Sequence, residues 1–332
     1  MVGVALVGLG WWGRKMGALI KAQGKEIELV RAVEPNDAAA KEVGAELGVP
    51  VTSDLTAALA DPKVEAVILA TPHALHGEQI RQSVAARKHV FCEKPLALTR
   101  KEAEVAVGLC KSAGLVLGMG HERRYEPPIA AILSDAAAGR LGTLLQIEAD
   151  FGHDKFLSLD PSNWRLQAEH APAAGMTATG IHLTDLSVAL MGAAKEVLVT
   201  CERRGSKLPG GDTLSAYIRF KGGGTSYISA NLAMPFVSRF AVYGTHGWVE
   251  VRDKAHVEAP EGWVVIKGKK GERIATEEIG PAEPVLDNLE AFANAVKGKG
   301  SYPITGDELI ANISLLESIV RSASSGRVEA VA

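Results

Sequence analysis

The chain has 332 residues, of which 47% are hydrophobic and 23% are charged, and its formal net charge is −3. This length is typical of two domains, and the composition is that of an ordinary globular protein. The sequence has no basic block that would indicate a nucleic-acid partner, and no apolar run long enough to predict a transmembrane helix.

The first predicted elements are a strand, a glycine-rich turn and a helix. Val2–Val7 is a nearly continuous apolar run, which is typical of a central parallel strand covered on both faces. A helical pattern covers Arg14–Ala22. Between them lies the turn Gly8-Leu9-Gly10-Trp11-Trp12-Gly13.

Each glycine of this turn has a separate predicted task. Gly8 permits the tight turn, Gly10 lets a pyrophosphate approach the backbone, and Gly13 lets the helix pack closely on the strand. The helix start offers free N–H groups and partial positive charge to phosphate oxygens. We therefore predict dinucleotide binding here; the alternative is a tight turn without a ligand.

The second predicted strand, Glu26–Glu34, indicates which dinucleotide is bound. Glu34 stands at its carboxyl end, roughly 20 to 26 residues after the glycines, where an adenosine ribose would lie. A carboxylate accepts hydrogen bonds from the ribose hydroxyls and repels a 2′-phosphate. This favours NAD over NADP; the alternative interpretation is a solvated acid at a strand end.

The first domain continues as alternating strands and helices, which predicts a doubly wound parallel sheet over residues 1–121. The predicted helices cover Ala38–Leu47 (capped by Pro35-Asn36-Asp37), Asp54–Ala60, the segment from His76 to Ala86, and a segment that begins at Thr99, with Glu102 completing a capping box. The predicted strands lie near Val51 and over Glu65–Ala70, Lys88–Cys92 and Leu115–Met119.

Two of these strands end in turns that carry polar side chains. Because ligands of such sheets bind beyond the carboxyl ends of the strands, we predict cofactor contacts from both turns. His76 has two interpretations, contact with the cofactor or capping of the following helix. The predicted cofactor-binding residues of these turns are Thr71, Pro72, His76, Glu93 and Lys94.

The second half, residues 122–332, predicts an α+β domain with a large, mostly antiparallel open sheet. After a helix that ends near Ala138, strands are predicted at Leu144–Phe151, Glu196–Arg203, Thr213–Phe220, Gly224–Asn231, Arg239–Tyr243, Gly247–Val251 and Trp263–Ile266. The helix predicted over Ala173–Met191 carries His182 and Asp185 on neighbouring faces. Helices at Glu283–Val296 and Gly306–Ser322 close the chain and are free to pack back on the first domain.

Five motifs, in this order and spacing, resemble the glucose–fructose oxidoreductase / inositol dehydrogenase family, called Gfo/Idh/MocA. They are the glycine turn, Ala70-Thr71-Pro72, Glu93-Lys94-Pro95, Asn163-Trp164-Arg165 and Gly180-Ile181-His182-Leu183-Thr184-Asp185. The resemblance implies a Rossmann domain, an open sheet that mediates homodimers or homotetramers, and hydride transfer between nicotinamide and a carbinol carbon of a sugar, polyol, sugar acid or related cyclic alcohol.

The resemblance also implies that Lys94 and His182 are the catalytic residues. An unperturbed lysine has a pKa near 10.4, so serving as a base at neutral pH requires a decrease of about three units, or roughly 4 kcal/mol. His182 needs less adjustment. Either residue can therefore carry the proton while the other binds the substrate oxygen. The pattern often has aspartate four residues before the histidine, where this chain has Ala178, so the usual three-residue arrangement is incomplete.

Other predicted site residues have equally plain structural explanations. Asp185 can orient His182 or be satisfied by a neighbouring backbone group or arginine. Trp164 and Arg165 are tentative substrate contacts, although the tryptophan is as well explained as core. Arg123 is a tentative contact for an acidic substrate; with Arg124 and His121 it is also explained as a solvated charge cluster.

Cysteine usage and the start of the chain bear on its surroundings. Cys92, Cys110 and Cys201 have no metal-ligand spacing and fit free thiols in a cytoplasmic protein. The first residues have a strand pattern and not that of a signal peptide. We expect an NAD-dependent dehydrogenase with no metal, membrane or nucleic-acid partner; the alternatives are a catalytically silent dinucleotide-binding sensor or scaffold, and a dehydrogenase for a non-sugar cyclic diol.

Overall fold

A computed structural model gives the structure of residues 1–173 and 175–332, which form two compact units. The first unit contains Met1–Glu122 and Pro284–Ile310, and the second contains Arg123–Glu283 and Ala311–Ala332. The predicted boundary after residue 121 thus lies one residue from the observed division. The segment Pro284–Ile310 belongs to the first unit; the prediction placed it in the second domain and left the C-terminal helices free to pack back on the first.

Aromatic packing and hydrogen bonds explain why that segment belongs to the first unit. Phe292 packs edge-on against Phe91, with ring centroids 5.6 Å apart. The amide of Asn288 donates to the Met119 carbonyl at 2.8 Å, and the Tyr302 hydroxyl donates to the same oxygen at 3.0 Å. These contacts could not be predicted from local sequence pattern because they join residues 169 to 201 positions apart.

The strands and helices have the following bounds. The strands are β1 (Val2–Val7), β2 (Ile27–Val33), β3 (Val51–Thr52), β4 (Ala66–Leu69), β5 (His89–Cys92), β6 (Leu117–Met119), β7 (Leu144–Gly152), β8 (Ala194–Glu202), β9 (Thr213–Phe220), β10 (Thr225–Asn231), β11 (Val237–Gly244), β12 (Gly247–Asp253), β13 (Trp263–Lys269), β14 (Ala275–Ile279) and β15 (Glu329–Ala330). The helices are α1 (Trp11–Gln23), α2 (Asp37–Leu47), α3 (Leu55–Leu59), α4 (His76–Ala85), α5 (Arg100–Ala113), α6 (Pro127–Ala137), α7 (Ile181–Met191), α8 (Pro284–Val296) and α9 (Gly306–Ser325).

The first unit is built on a parallel sheet with strand order β3-β2-β1-β4-β5-β6. Every residue of β1 is buried, as its apolar run predicted. Helix α1 begins at Trp11, three residues before the predicted start, because the N–H of Arg14 donates to the Gly10 carbonyl at 2.9 Å. The doubly wound sheet predicted from sequence is therefore confirmed.

The second unit is built on a sheet with strand order β14-β13-β12-β11-β7-β10-β9-β8-β15. Its pairs are antiparallel except for β10 against β7. The prediction missed β14 because its residues are mostly exposed and carry no apolar alternation, and missed β15 because it has two residues. Buried and exposed side chains alternate along β9, so one face of the sheet is packed and the other is open.

Helix α7 carries the predicted catalytic histidine into the packed side of the second unit. It is preceded by a π-helical turn at Met176–Gly180, and Leu183 and Leu186 on α7 are fully buried. The predicted helix Ala173–Met191 includes position 174, which lies outside the described residues. Within the described ranges, no helix is long and apolar enough to cross a membrane.

Candidate active site

The glycine turn after β1 has the shape that its three glycines predicted. Gly8 has a φ of +92°, a conformation that favours glycine. A Cβ on Gly13 would overlap the Gly8 carbonyl oxygen, whereas a Cβ on Gly10 would meet no atom within 4 Å. The close approach of helix and turn thus requires Gly13, and the backbone at Gly10 borders open space that can accept a phosphate group.

The two tryptophans of the turn differ in exposure. Trp11 is 47% exposed, whereas Trp12 is half-buried. Their rings pack edge to face with centroids 5.2 Å apart. The two indoles therefore contact each other within the turn.

Glu34, the acid at the end of β2, is bonded directly to this turn. One carboxylate oxygen accepts the Leu9 N–H and the other accepts the Asn36 N–H, each at 3.1 Å. Each oxygen retains a second lone pair that can accept a ribose hydroxyl. Two backbone amides therefore hold the carboxylate beside the turn, and its contact with a ribose stays a prediction.

His76 is placed differently from both sequence interpretations. It is fully buried. Its Nδ1 lies 2.9 Å from the Pro95 carbonyl oxygen and its Nε2 lies 3.1 Å from the Thr71 carbonyl oxygen. The side chain does not cap α4, and its two ring nitrogens face protein carbonyls rather than a solvent-facing surface.

The turn after β5 holds Glu93 and Lys94 in distinct settings. Glu93 is 7% exposed, and one carboxylate oxygen accepts the Lys94 N–H at 3.2 Å. A Cβ on Gly120 would lie 2.5 Å from the other oxygen, so the carboxyl group occupies space that only glycine leaves there. Lys94 is half-buried and precedes a cis-proline, Pro95.

The arginines after β6 form buried ion pairs and not the solvated cluster expected. Arg123 is 2% exposed and donates to Glu126 at 3.1 Å and to Asp253 at 3.1 Å. Arg124 donates to both carboxylate oxygens of Asp185, at 2.8 and 2.7 Å. The charge of Arg123 is thus matched by two carboxylates, which removes the electrostatic basis for its predicted contact with an acidic substrate. Of the two interpretations of Asp185, the structure therefore supports the one in which an arginine pairs with its carboxylate.

His182 lies among aromatic side chains of the second unit. It is 4% exposed, and its ring centroid lies 6.4 Å from that of Phe151. The rings of His153 and His256 lie 6.4 and 6.0 Å from the same phenylalanine and 5.9 Å from each other. The second unit therefore gathers three imidazoles around Phe151.

Sequence analysis missed His153 and His256 as members of this cluster. They follow β7 and β12. Both of these strands pair antiparallel with β11, so their carboxyl ends lie at the same edge of the sheet. That relationship emerges only once the strand order is known.

Two family models match the chain. The oxidoreductase family with an NAD-binding Rossmann fold, GFO/IDH/MocA, matches residues 2–121. The GFO/IDH/MocA C-terminal domain matches residues 134–250. The chain belongs to the Gfo/Idh/MocA oxidoreductase family.

Relatives from this oxidoreductase family match almost end to end. The chain is 28% identical to the 1,5-anhydro-D-fructose reductase of Ensifer adhaerens over 98% of this chain and 96% of that protein. It is 25% identical to D-xylose 1-dehydrogenase (NADP(+)) 2 of Haloferax volcanii, over 96% of this chain and 97% of that one. Levoglucosan dehydrogenase in complex with NADH has the same fold, with a TM-score of 0.86, 21% identity and coverage of 100% and 99%.

Ala178 departs from the family pattern, and its surroundings account for the departure. Ala178 packs against the buried pair Leu208 and Leu232. Phe156 and Leu166 pack against the same pair. A carboxylate at this position would lie against hydrocarbon, which is unfavourable for the charged form. The position is therefore part of an apolar cluster in this Gfo/Idh/MocA member.

The family motif Asn163-Trp164-Arg165 forms a capped turn. The side chain of Asn163 accepts the Arg165 N–H at 3.0 Å, and a short 3₁₀ helix covers Trp164–Leu166. The Arg165 guanidinium stacks over the Trp164 ring at 4.4 Å. Both side chains are half-buried, so the tryptophan is not plain core and both predicted substrate contacts remain predictions.

Proposed function

We propose that this protein is an NAD-dependent dehydrogenase or reductase that transfers a hydride between nicotinamide and a carbinol carbon of a sugar, polyol or related cyclic alcohol. The observation that carries the proposal is the open backbone at Gly10 with the Glu34 carboxylate bonded to the same turn. The bound nicotinamide would supply the hydride acceptor, and the protein must supply the group that takes the proton.

The residues of the first unit fit a dinucleotide. The start of α1 presents free N–H groups at the open face of Gly10, which suits a pyrophosphate. The three residues after Glu34 are Pro35, Asn36 and Asp37, none of which carries a positive charge that could receive a 2′-phosphate. These features support NAD, although one relative is named for NADP(+) and another is described with NADH.

For the proton we propose Lys94 as carrier and His182 as the residue that binds the substrate oxygen. Oxidation removes a hydride from the carbon and a proton from its hydroxyl. A neutral amine at Lys94 would accept that proton and become an ammonium. The imidazole of His182 can donate or accept one hydrogen bond with a substrate hydroxyl. Reduction reverses both transfers.

The buried arginines support an uncharged substrate. Arg123 and Arg124 both have carboxylate partners. The aromatic and imidazole rings around Phe151 suit the apolar face and hydroxyl groups of a sugar-like ring. We therefore place neutral sugars, anhydro sugars and inositols ahead of sugar acids.

We further propose that the protein acts as a cytoplasmic homo-oligomer that uses the open face of the second sheet. This face has a shallow cavity of about 410 Å³. Tyr227 is 48% exposed and pairs with Tyr217 at 5.0 Å, and Leu198 is 39% exposed. Light scattering should give the mass of two or four chains, and a monomer at micromolar concentration would refute this assembly.

The proposed function is tested by cofactor titration and a substrate screen. Protein fluorescence should report NADH binding, since Trp11 and Trp12 lie in the glycine turn. A panel of neutral sugars, anhydro sugars, inositols, sugar acids and cyclic diols with NAD⁺ should then show absorbance of reduced cofactor for neutral ring alcohols. Tight cofactor binding with no turnover of any member would favour a silent sensor instead.

A further inference from the structure

His76 joins two neighbouring turns of the first unit through its imidazole ring. Nδ1 faces the Pro95 carbonyl at 2.9 Å and Nε2 faces the Thr71 carbonyl at 3.1 Å. Both partners are acceptors, and a neutral imidazole has one N–H, so the ring donates to one of them at a time. Burial lowers the pKa of His76, against the opposing effect of the backbone groups of Pro95, Thr71 and Leu96, which favours this neutral form.

The two carbonyls belong to the turns that carry the predicted active-site residues. Thr71 follows β4 and Pro95 follows β5, and these strands are parallel neighbours, with Leu69 opposite Cys92. Pro95 is bonded covalently to Lys94. A shift of the Pro95 carbonyl therefore moves the backbone from which the Lys94 amine extends.

Simple packing does not account for a histidine here. An apolar ring of similar size would fill the space but would leave the buried Pro95 carbonyl without this donor, at a cost of about 1–3 kcal/mol. The ring has no solvent-exposed surface with which to contact substrate or cofactor.

We propose that His76 is a positioning residue, which holds the turn of Lys94 against the turn of Thr71 by donating its Nδ1–H to the Pro95 carbonyl. The inference places the proton on Nδ1, whose contact with the Pro95 carbonyl is the shorter of the two. The inference rests on the proposed function, because it assigns His76 a task only if Lys94 takes part in hydride-coupled proton transfer. His76 acts through Lys94 and is not itself catalytic.

Two amide substitutions distinguish the nitrogens. The side-chain nitrogen of asparagine stands close to where Nδ1 of histidine stands, and that of glutamine close to Nε2. His76→Asn therefore restores a donor toward Pro95, His76→Gln restores one toward Thr71, and His76→Phe restores neither. NADH affinity, kcat, KM for the alcohol and thermal unfolding are measured for all three variants and the wild type.

We expect His76→Phe to lower kcat on the order of 100-fold, as a displacement of about 1 Å can, with little change in NADH affinity or in KM. His76→Asn should recover most of kcat, and His76→Gln should not. A merely structural role would lower the unfolding temperature of the variants while leaving kcat of the folded enzyme unchanged.

The outcomes separate this inference from the proposed function. Wild-type kcat in folded His76→Phe overturns the role of His76 alone. If that variant does not fold, equal kcat values for the asparagine and glutamine variants overturn it. A wild-type protein that neither binds NADH nor oxidises any alcohol overturns the proposed function itself.

Discussion

The Glu34 carboxylate accepts a hydrogen bond from the Leu9 N–H at 3.1 Å, so the acid after β2 and the glycine turn after β1 form one connected surface. A second bond, from the Asn36 N–H, fixes the other carboxylate oxygen. The acid therefore holds the turn, and we propose that it also meets the adenosine ribose.

Glu34→Gln should change the preference between the two nicotinamide cofactors. The amide oxygen can still accept the Leu9 N–H, but the negative charge that repels a 2′-phosphate is lost. We expect the ratio of NAD(H) to NADP(H) affinity to fall about tenfold, which corresponds to roughly 1.4 kcal/mol. Paired fluorescence titrations measure this ratio. The control Glu28→Gln removes the same charge from an exposed position on β2 and should leave the ratio of the two affinities unaltered. Tighter wild-type binding of NADP(H) than of NAD(H) would contradict the role of Glu34.

Gly120→Ala should displace the Glu93 carboxyl group. The added Cβ would stand 2.5 Å from a carboxylate oxygen of a buried side chain, so Glu93 must move. We expect a loss of about 1–3 kcal/mol in the free energy of unfolding, measured by urea denaturation, and a lower kcat. Gly108→Ala is the matched control. Its Cβ would meet no atom within 4 Å inside α5, and this change should stabilise the protein by about 0.5–1 kcal/mol.

His89 should make the protein less stable in mild acid. Burial lowers its pKa, and Nδ1 accepts the Val116 N–H at 2.9 Å, which requires an unprotonated nitrogen. As the pH falls below about 6.5, the ordinary pKa of histidine, the unfolded chain binds the proton before the folded protein does. The contribution of His89 to stability is therefore fully present above that pH and declines below it.

The measurement is urea unfolding at pH 7.5 and 5.5 for the wild type and His89→Gln. The wild type should lose stability between the two values, with a contribution from His89 of at most about 1.4 kcal/mol per pH unit. The variant should lose less over the same interval. An equal loss in both proteins would show that His89 is not responsible.

Ala178→Asp should not complete the family's three-residue arrangement. The new carboxylate would lie against Leu208 and Leu232 at a half-buried position, where contact with hydrocarbon disfavours the charged form. We expect a lower unfolding temperature and no gain in kcat. Ala131→Asp, at an exposed position of α6, is the control and should be close to neutral; higher kcat in Ala178→Asp would mean that this cluster accepts a charge after all.

Local pattern was sufficient for the elements that bury one clear face. The run Val2–Val7 and the segment Thr213–Phe220 have the predicted bounds, because their burial is set by strand periodicity. Asn36 caps α2 as predicted, through its bond to the Ala39 N–H. Strand β14 was missed because charged, exposed residues give no such signal.

The local sequence could not supply the partners of the polar site residues. The pairing of Arg124 with Asp185 joins positions 61 apart, and that of Arg123 with Asp253 joins positions 130 apart. The bridge from His76 to Pro95 depends on two strands lying side by side. Motifs therefore identify which residues matter in this family, while their partners depend on strand order and packing.

The most direct test of the account is the turnover of Lys94→Ala, with and without a small primary amine such as methylamine. We expect Lys94→Ala and His182→Ala each to retain NADH binding but to lose kcat by about 100-fold or more, on the order expected for a lost acid–base group. Added amine should restore activity to Lys94→Ala and not to His182→Ala, whereas Lys101→Ala, at an exposed position of α5, should behave as wild type. Full activity in Lys94→Ala without amine would contradict the central claim that this lysine carries the proton.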